Sequence, residues 1–464
     1  MNEISASVAT RVSSVDQSVS ARLRTSGDLR IATDSANVFL AQVAGLAFGV
    51  SNNLLIAWML GPQGKGLLYF IQFVASSAVI FLNLGLGPSA VYHLRRDHTH
   101  SEADVASVLL WPSLLFGFLP VTLVGISWPW VGHAASGKFG TQYLMISLVA
   151  IPGMVLTWNA SYLELAKGRI LSYSLLRIAP PALFFLGLFF LLLLPSHRDS
   201  LLVATVWLVS ALLTALYAGL LVHEAGAALN AQRLNLLRGA FRFGWSSHLG
   251  AVAQYLQHRV DIVLVSFLLP LRALGIYSIA VAGSELLWYV PNTVATVLMP
   301  HVAASSDEAA TRMTSKFCRV IVAMNATLAL VLAVVSTVLI HWLLPAFRAS
   351  ILPLWLLLPG TIAASVFKVL SSDFNGRGKP FETFRPAVVS LFACVAVGLV
   401  AIPKLGVNGA ALVTSGGYIL NTILYIRVYS RITSVSNADL LLVRRKDLSS
   451  LSGMLRTMIA RITG

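Results

Sequence analysis

Ala57-Trp-Met-Leu-Gly-Pro-Gln-Gly-Lys-Gly-Leu-Leu-Tyr69 joins two apolar runs, each about as long as a helix that crosses a bilayer. Pro62 and the glycines around it are typical of a tight connection between two helices. The same alternation of long apolar runs and short polar connections continues along the 464 residues. The sequence therefore predicts a polytopic membrane protein.

The overall composition supports this class. Hydrophobic residues make up 57% of the chain and charged residues only 11%, whereas a soluble domain carries about 25% charged residues. An ordinary soluble domain, a disordered chain and a disulfide scaffold are thereby excluded. Cys318 and Cys394 lie in apolar runs without His or Cys at metal-ligand spacing, so we expect no disulfide, metal or other cofactor.

Twelve apolar runs reach the roughly 20 residues that a transmembrane helix needs. They predict an all-α membrane protein with twelve transmembrane helices, numbered here as spans 1 to 12. Their approximate ranges are 36–60, 66–94, 105–131, 141–165, 170–195, 200–222, 243–268, 274–302, 316–345, 351–372, 383–403 and 407–430.

The positive charges alternate between connections. Of the 33 Lys and Arg residues, 25 lie at the termini or in even-numbered connections and six lie in odd-numbered connections. The other two, Arg259 and Lys368, lie inside spans. Since cytoplasmic connections of membrane proteins are enriched in Lys and Arg, both termini are predicted to be cytoplasmic. Topology accounts for most of the net charge of +15, so no nucleic-acid partner is expected.

A weak repeat at an offset of 208 residues divides the chain into two halves of six spans. It aligns Pro62 with Pro270 and Tyr69 with Tyr277 at matching connections. Because six is even, both halves enter the membrane from the same side, and their symmetry axis lies along the membrane normal. We predict two six-helix bundles around a central cavity. The predicted segments are a cytoplasmic N-terminal segment 1–35, a bundle 36–222, a cytoplasmic linker 223–242, a bundle 243–430 and a cytoplasmic basic amphipathic tail 431–464.

Two interpretations are open for each end of the chain. The N-terminal segment has apolar residues at helical spacing, which fits either a helix on the membrane surface or a frayed terminus. The tail has an apolar face after Arg444-Arg445-Lys446. It fits either a helix on anionic membrane lipid or a helix packed against the protein's own cytoplasmic connections.

The ordered set of connections resembles that of a known family, the polysaccharide flippases. These are the Wzx-type O-antigen and exopolysaccharide repeat-unit flippases of the multidrug/oligosaccharidyl-lipid/polysaccharide exporter superfamily. Twelve spans are typical of them, whereas the peptidoglycan-precursor flippases of this superfamily typically have fourteen. The segments that carry the resemblance are 57–69, Gly85-Leu-Gly-Pro-Ser-Ala90, Arg242-Phe-Gly-Trp245, Asp261-Ile-Val-Leu-Val265, Gly275-Ile-Tyr-Ser278, Met299-Pro300, Phe374-Asn-Gly-Arg-Gly-Lys-Pro380 and Gly406-Val-Asn-Gly-Ala-Ala411.

The resemblance implies a transporter of the bacterial inner (cytoplasmic) membrane rather than an enzyme. Its substrate would be an oligosaccharide repeat unit linked through pyrophosphate to undecaprenol, moved to the periplasmic leaflet by alternating access. Its partners would be polysaccharide polymerase and export proteins. A second hypothesis is a cation-coupled multidrug or metabolite exporter of the same superfamily. A third, an integral-membrane polysaccharide polymerase, is disfavoured because no outer connection exceeds about ten residues.

Charges inside spans are the first candidates for a binding site, because they are costly in a bilayer. Arg259 and Asp261 lie roughly 10–15 Å from the outer end of span 7, and Glu285 lies about 15 Å deep in span 8. They form either a structural ion-pair set or part of a substrate-binding cavity, with His258 beside them. Two residues apart on a helix, Arg259 and Asp261 cannot both point into one cleft. Asp261 or Glu285 is also a candidate for coupling to a proton or sodium gradient, although the membrane potential alone is an alternative.

Weaker candidates lie elsewhere in the spans and at their inner ends. For Lys368 the sequence favours extension to the cytoplasmic face over a position in the cavity. Polar residues of span 1 fit either a sugar path or interhelical hydrogen bonds. Four arginines fit either diphosphate capture at the cytoplasmic rim or topology charges. The span 1 residues are Gln42, Asn52 and Asn53, and the rim residues are Arg30, Arg95, Arg177 and Arg385.

The topology can be tested by accessibility mapping. We expect a tag inserted next to Arg198 to be labelled from the outside and a tag at Gly464 to be labelled only after the membrane is permeabilised. A tag at Lys404, in another odd-numbered connection, is a matched control for the outer side. If the tags at Arg198 and Gly464 were labelled from the same side, the twelve-span topology would be wrong.

Overall fold

The computed structural model describes the backbone of residues 2–87, 94, 101–194, 198–227 and 234–441. Side chains are described for residues 40–87, 94, 101–127, 137–194, 198–227, 238, 248–379 and 381–441. In this part of the chain the regular structure is entirely helical, without a strand. The predicted all-α class is therefore confirmed.

The twelve spans are recovered once two glycine breaks are recognised. Asn2–Leu82 breaks at Gly61, where φ is 63°, and Phe384–Thr433 breaks at Gly406, where φ is 59°, so each contains two spans. A 3-10 turn, Leu286–Trp288, joins two helices into span 8. The helices are Asn2–Leu82, Glu102–Phe139, Thr141–Lys167, Ile170–Leu191, Ser200–Glu224, Leu234–Leu268, Leu271–Glu285, Tyr289–Ala303, Asp307–Leu343, Ile351–Gly376, Phe384–Thr433 and Asn437–Leu441, with further 3-10 turns at Pro345–Ser350 and Pro380–Thr383.

Helix length and hydropathy agree with this count. Nine helical segments of the described chain are long and apolar enough to cross a membrane, and the two with glycine breaks hold two spans each. The remaining one is span 7, Leu234–Leu268. The protein is thus a multi-pass membrane protein with the predicted number of spans.

Several span boundaries differ from the prediction. Span 2 ends at Leu82 rather than near residue 94, because Leu84 and Gly85 adopt positive φ and stop the helix. Spans 3, 7 and 9 begin earlier than expected. In span 9 the Ser306 side chain accepts a hydrogen bond from the Ala309 amide, and acidic residues fill the first turn. Such polar turns favour a helix start but do not register as apolar.

The odd-numbered connections meet at one end of the molecule, as the predicted topology requires. The Phe70 and Phe139 rings stack with centroids 3.7 Å apart, which joins the starts of spans 2 and 4. The Lys138 ammonium donates to the Ser266 carbonyl at 2.7 Å and also to carbonyls of Phe267 and Leu269, so it caps the end of span 7. We call this the outer end, following the predicted topology.

Ion pairs occupy the other end, in a similar arrangement in each half. In the first half, Lys167 contacts buried Glu164 at 2.8 Å and Glu102 at 3.8 Å. In the second half, Arg377 contacts buried Asp373 at 2.5 Å and Asp307 at 2.7 Å. The first network links the start of span 3 to the end of span 4. The second links the start of span 9 to the end of span 10 in the same way. We call this the inner end.

Among the described residues, the two halves share a hydrophobic core near the outer end. The shared core includes Ile71 from the first half and Ile262 from the second. Nearer the inner end, the first half has its own core around Leu163, and the second half has its own core around Phe374. The halves therefore pack together at the outer end and diverge toward the inner end.

The outer contact depends on two glycines that let two backbones touch. A Cβ atom on Gly66 would overlap the Leu271 carbonyl oxygen, and one on Gly275 would overlap the Pro62 carbonyl oxygen. Gly66 opens span 2 and Gly275 lies in the first turns of span 8, so the contact joins the two halves. We call this contact the outer seal.

Both ends of the chain reach beyond the described side chains. The backbone of residues 2–39 continues the helix of span 1, but its side chains lie outside the described part. Most of the tail, residues 442–464, also lies outside it. The two interpretations of each end and the predicted segment boundaries remain predictions.

We expect Gly66→Ala to open the outer seal. Overpacking a close contact costs about 1–3 kcal/mol, which lowers the population of the closed state about fivefold or more. The measurement is labelling of a Gln72→Cys probe, which lies between the halves, by a membrane-impermeant maleimide added outside. The native Cys318 and Cys394 are buried and give little background.

Gly49→Ala is the matched control, because a Cβ atom on Gly49 meets nothing within 4 Å. Its labelling is expected to equal that of the parent protein. Equal labelling of the Gly66→Ala protein would show that the glycine contact does not close the outer end.

Candidate functional site

A cavity of about 410 Å³ lies between the two halves, on the inner side of the outer seal. Spans 1, 2, 4, 7 and 8 form its wall, so both halves contribute. Its lining combines one ion pair with amides, hydroxyls and aromatic rings. The lining residues are Asn53, Tyr69, Gln72, Phe73, Ser76, Val79, Ile80, Met154, Trp158, Tyr255, Arg259, Ile262, Ala282 and Glu285.

The charged pair of the cavity is formed by Arg259 and Glu285. Arg259 Nη1 donates to Glu285 Oε1 at 2.6 Å. Their side chains are 25% and 27% exposed, so both are open to the cavity rather than sealed in protein. Span 8 changes to a 3-10 turn directly after Glu285, and such interruptions often mark functional positions. The two interpretations from the sequence thus coincide here, since the pair is an ion pair and also lines the cavity.

Asp261 points away from the cavity, toward spans 8 and 12. Its carboxylate accepts hydrogen bonds from Tyr277 Oη at 2.5 Å, Thr414 Oγ1 at 3.1 Å and the Ile262 amide at 2.8 Å. The side chain is 3% exposed. Arg259 and Asp261 therefore have different neighbours, in keeping with their separation by two residues. Asp261 is a buried carboxylate held by hydroxyl and amide donors within the second half.

His258 and Lys368 belong to an aromatic cluster behind the cavity wall. The His258 ring lies 5.0 Å from the Trp288 ring and 5.6 Å from the Tyr418 ring, and it is buried. Lys368 Nζ lies 4.3 Å above the Trp288 ring and donates to Asn292 Oδ1 at 3.1 Å. Lys368 is not among the lining residues of the central cavity. A cation–π contact and an amide acceptor hold its ammonium against span 8, and its extension to the cytoplasmic face stays a prediction.

The polar residues of span 1 have different positions. Asn52 is 5% exposed and donates to the Pro181 carbonyl at 2.8 Å. It connects spans 1 and 5 and does not line the cavity, so the interhelical interpretation applies to it. Asn53 lines the cavity and accepts a hydrogen bond from Lys65. Gln42 is exposed and is not part of the cavity wall.

Of the predicted rim arginines, Arg177 lies at a second cavity. The side chains of Arg30 and Arg95 lie outside the described residues, and Arg385 is exposed at the start of span 11. The Arg177 guanidinium lies 5.3 Å above the Trp158 ring and 5.9 Å from the Tyr173 ring. It borders a cavity of about 340 Å³ inside the first half. This cavity shares Val79, Met154 and Trp158 with the central one, so the two are adjacent.

The second cavity presents hydroxyl oxygens and an aromatic platform. The hydroxyls of Thr157, Ser161, Ser210 and Thr214 each donate to a carbonyl of their own helix, which leaves their oxygen lone pairs as acceptors. Trp158 Nε1 is enclosed and has no hydrogen-bond partner among the described residues. The cavity thus offers acceptor oxygens, an aromatic ring and the N–H donors of one cation, Arg177.

Sequence reasoning missed four polar residues of this region. Tyr69, Gln72 and Tyr255 line the cavity, and Tyr255 Oη lies 2.8 Å from Ser77 Oγ across the halves. The sequence places Lys65 in an outer connection, but its side chain is buried in the structure, with 1% of its surface exposed. A signal was present, because Pro62 favours the first turn of a helix and so places Lys65 and Tyr69 one turn apart on the same face.

Comparison with known proteins identifies the family. The family described as polysaccharide biosynthesis protein matches residues 31–306. The chain belongs to this family. No curated protein sequence matches it. The family match and the membrane-spanning helices together place the chain among the multi-pass members of the polysaccharide biosynthesis proteins.

Solved structures show the same fold. The structure titled lipid II flippase MurJ, inward closed conformation, is similar with a TM-score of 0.69 and 14% identity over 92% of each chain. A multidrug resistance MATE family transporter of the MOP superfamily, in an inward-facing conformation, is similar with a TM-score of 0.64 and 15% identity, over 84% of this chain and 95% of that chain. At such identities the likeness concerns the fold alone.

The role of the ion pair can be separated from its contribution to packing. We expect Arg259→Ala to reduce polysaccharide production in a complemented deletion strain by at least about tenfold, because charge-assisted hydrogen bonds contribute about 1.5–3 kcal/mol. The same change leaves Glu285 unpaired and lowers the melting temperature.

The double variant Arg259→Ala/Glu285→Ala is the decisive control. Removal of both charges should restore much of the thermal stability, while production stays low because the cation is still absent. Recovery of production together with stability would assign the pair a structural role only.

Proposed function

We propose that the protein is a flippase for a saccharide repeat unit linked through diphosphate to undecaprenol. It moves this unit from the cytoplasmic to the periplasmic leaflet of a bacterial inner membrane, where polymerase and export proteins use it. The observation that carries the proposal is the partly exposed guanidinium of Arg259, which lines a cavity between the two halves of a transporter fold. Membership of the polysaccharide biosynthesis family supports the substrate class.

Arg259 is suited to hold the diphosphate. A guanidinium has five N–H donors in a plane that matches the oxygens of phosphate. Within the described residues Glu285 takes one of these donors, at Nη1, and fixes the orientation of the group. Glu285 also balances its charge. A diphosphate that carries more charge than one carboxylate competes for the remaining donors.

The second cavity is suited to the saccharide. Sugar hydroxyls donate to acceptor oxygens and accept from N–H groups, and the second cavity offers both. Trp158 borders both cavities, so a head group that extends past its ring can reach from one to the other. A diphosphate at Arg259 and sugars beside Trp158 would then occupy adjacent parts of one site.

The packing of the halves supports loading from the cytoplasm. The shared core and the outer seal close the outer end, whereas the inner end has two separate cores. One turn inward from Arg259, Tyr255 bridges to Ser77 by a single hydrogen bond between side chains. Such a bridge is weaker than the backbone contact of the outer seal. Rocking of the halves about the outer end would open the cavity to the cytoplasmic side first.

The energy source is part of the proposal. An anionic substrate that moves outward across an inside-negative membrane is favoured by about 2.3 kcal/mol per charge for every 100 mV. Asp261, buried without a cationic hydrogen-bond partner among the described residues, is the group through which a proton or sodium gradient would act instead.

The same carboxylate favours a second candidate function, a cation-coupled multidrug or metabolite exporter. That function needs an acidic residue that can bind and release a cation, and it needs no diphosphate. The two candidates therefore differ in what accumulates when the protein is absent.

The test is deletion of the gene, followed by analysis of lipid-linked saccharides. We expect surface polysaccharide to be lost and the lipid-linked unit to accumulate in the cytoplasmic leaflet, because it cannot cross the bilayer without a carrier. Susceptibility of the unit to a membrane-impermeant glycosidase or periodate measures the leaflet. Collapse of the membrane potential or of the ion gradients in the complemented strain then identifies the energy source.

Complementation with the wild-type gene should restore both signals, and the Arg259→Ala gene should restore neither. Normal polysaccharide with raised drug sensitivity in the deletion strain would favour the exporter. Accumulation of units already in the outer leaflet would contradict a flippase and favour a polymerase.

A further inference from the structure

Lys65 is a buried ammonium at the outer end of the central cavity. It lies in the first turn of span 2, after the Gly61 break and directly before Gly66 of the outer seal. Its side chain is 1% exposed. Its Nζ atom donates to Asn53 Oδ1 at 2.6 Å and lies 6.0 Å from the Tyr69 ring centroid.

This ammonium has no counter-ion among the described residues. The ion pairs of the described chain do not include Lys65, and an amide oxygen takes one of its three donors. A buried charge without a partner costs several kcal/mol. Packing of the turn does not require a lysine, since the residue at the 208-residue offset in the second half is Ala273.

Among the described residues, the hydrogen-bond acceptor of Lys65 belongs to the wall of the cavity. Asn53 and Tyr69 both line the central cavity together with Arg259. The Asn53 amide nitrogen donates to the Gly49 carbonyl at 2.9 Å, which fixes the amide so that its oxygen faces Lys65. Lys65 thus lies behind Asn53, one side chain away from the cavity, and beneath the outer seal.

We propose that Lys65 and Asn53 form a second anion subsite at the outer end of the cavity, which takes the diphosphate group of the substrate after Arg259. The proposal rests on the proposed flippase function and adds the position through which the anion leaves. Before the diphosphate arrives, Asn53 holds the Lys65 ammonium. The diphosphate then supplies the counter-charge that the ammonium lacks. When the outer seal opens, water hydrates the ammonium.

The test is the thermal shift of the purified protein in detergent on addition of undecaprenyl diphosphate. Lys65→Met removes the charge at similar volume, so we expect it to keep or raise the melting temperature without ligand. Its affinity for undecaprenyl diphosphate should fall at least about tenfold, as expected for a lost charge-assisted contact. Lys404→Met, which removes an exposed lysine of another outer connection, should leave the affinity unchanged.

Asn53→Asp is the second variant and remains informative if Lys65→Met does not fold. It places a carboxylate 2.6 Å from the ammonium in the present geometry. We expect the melting temperature to rise while the affinity falls, because the built-in carboxylate competes with the ligand. A higher melting temperature with unchanged affinity would show that Lys65 is structural, and unchanged affinity of Lys65→Met would show the same.

The remaining outcomes separate this subsite from the proposed function. A ligand shift that disappears in Arg259→Ala but persists in Lys65→Met would refute the subsite alone. No shift in the wild-type protein would refute both the substrate class and the subsite. Inorganic pyrophosphate with the same dependence on Lys65 would show that the diphosphate group itself is recognised. The same dependence with phosphatidylglycerol would overturn the assignment to the substrate.

Discussion

A charge inside the bilayer must be paired, hydrated or hydrogen-bonded, and this requirement positions the site. In the described residues Arg259, Glu285 and Lys65 lie where the two halves meet, whereas Asp261 and Lys368 are held within the second half. Arg259 pairs with Glu285 at the cavity, Asp261 is held by hydroxyls of spans 8 and 12, and Lys65 is held by an amide of span 1. Lipid-facing surfaces cannot carry such groups, because their desolvation costs more than any single contact there returns. The interface between the halves is the location that offers partners and water.

The outer seal determines how this interface can open. Backbone contact at Gly66 and Gly275 leaves no space for a side chain, so the two halves approach closely at this point. Nearer the inner end the cores are separate, and Tyr255 provides a bridge between side chains. There His248 also bonds to the Phe81 backbone and the Tyr255 ring meets the Phe81 ring, so side chains make these contacts. A molecule with backbone contact at one end and side-chain contacts at the other moves most easily about the backbone contact. Access from the inner end is therefore the smaller change, and access from the outer end requires the glycine contact to part.

The fold was largely predictable because the hydropathy of each segment and the alternation of charge between connections can be read directly from the order of the residues. The spans followed from apolar length, and their directions followed from the distribution of Lys and Arg. The site was less predictable, because the face on which a residue lies depends on how helices pack. Asn52 and Asn53 are neighbours in sequence, yet one bonds to span 5 and the other lines the cavity. Lys65 differs from expectation because an acceptor on span 1 holds its ammonium group, and sequence cannot show which helix supplies that acceptor.

Comparison of the halves distinguishes packing from function. Each half has an inner-end ion pair with a buried carboxylate, Lys167 with Glu164 and Arg377 with Asp373, so these pairs serve the common bundle. The charges around the cavity are not repeated. The aligned pairs at the 208-residue offset are Asn53 with Asp261, Lys65 with Ala273, Tyr69 with Tyr277 and Ser77 with Glu285. The first half thus carries the lysine and the amide, and the second half carries the carboxylates. Packing of two similar bundles does not require this asymmetry. A binding site for a substrate with a single anionic group between a sugar and a lipid tail does require it.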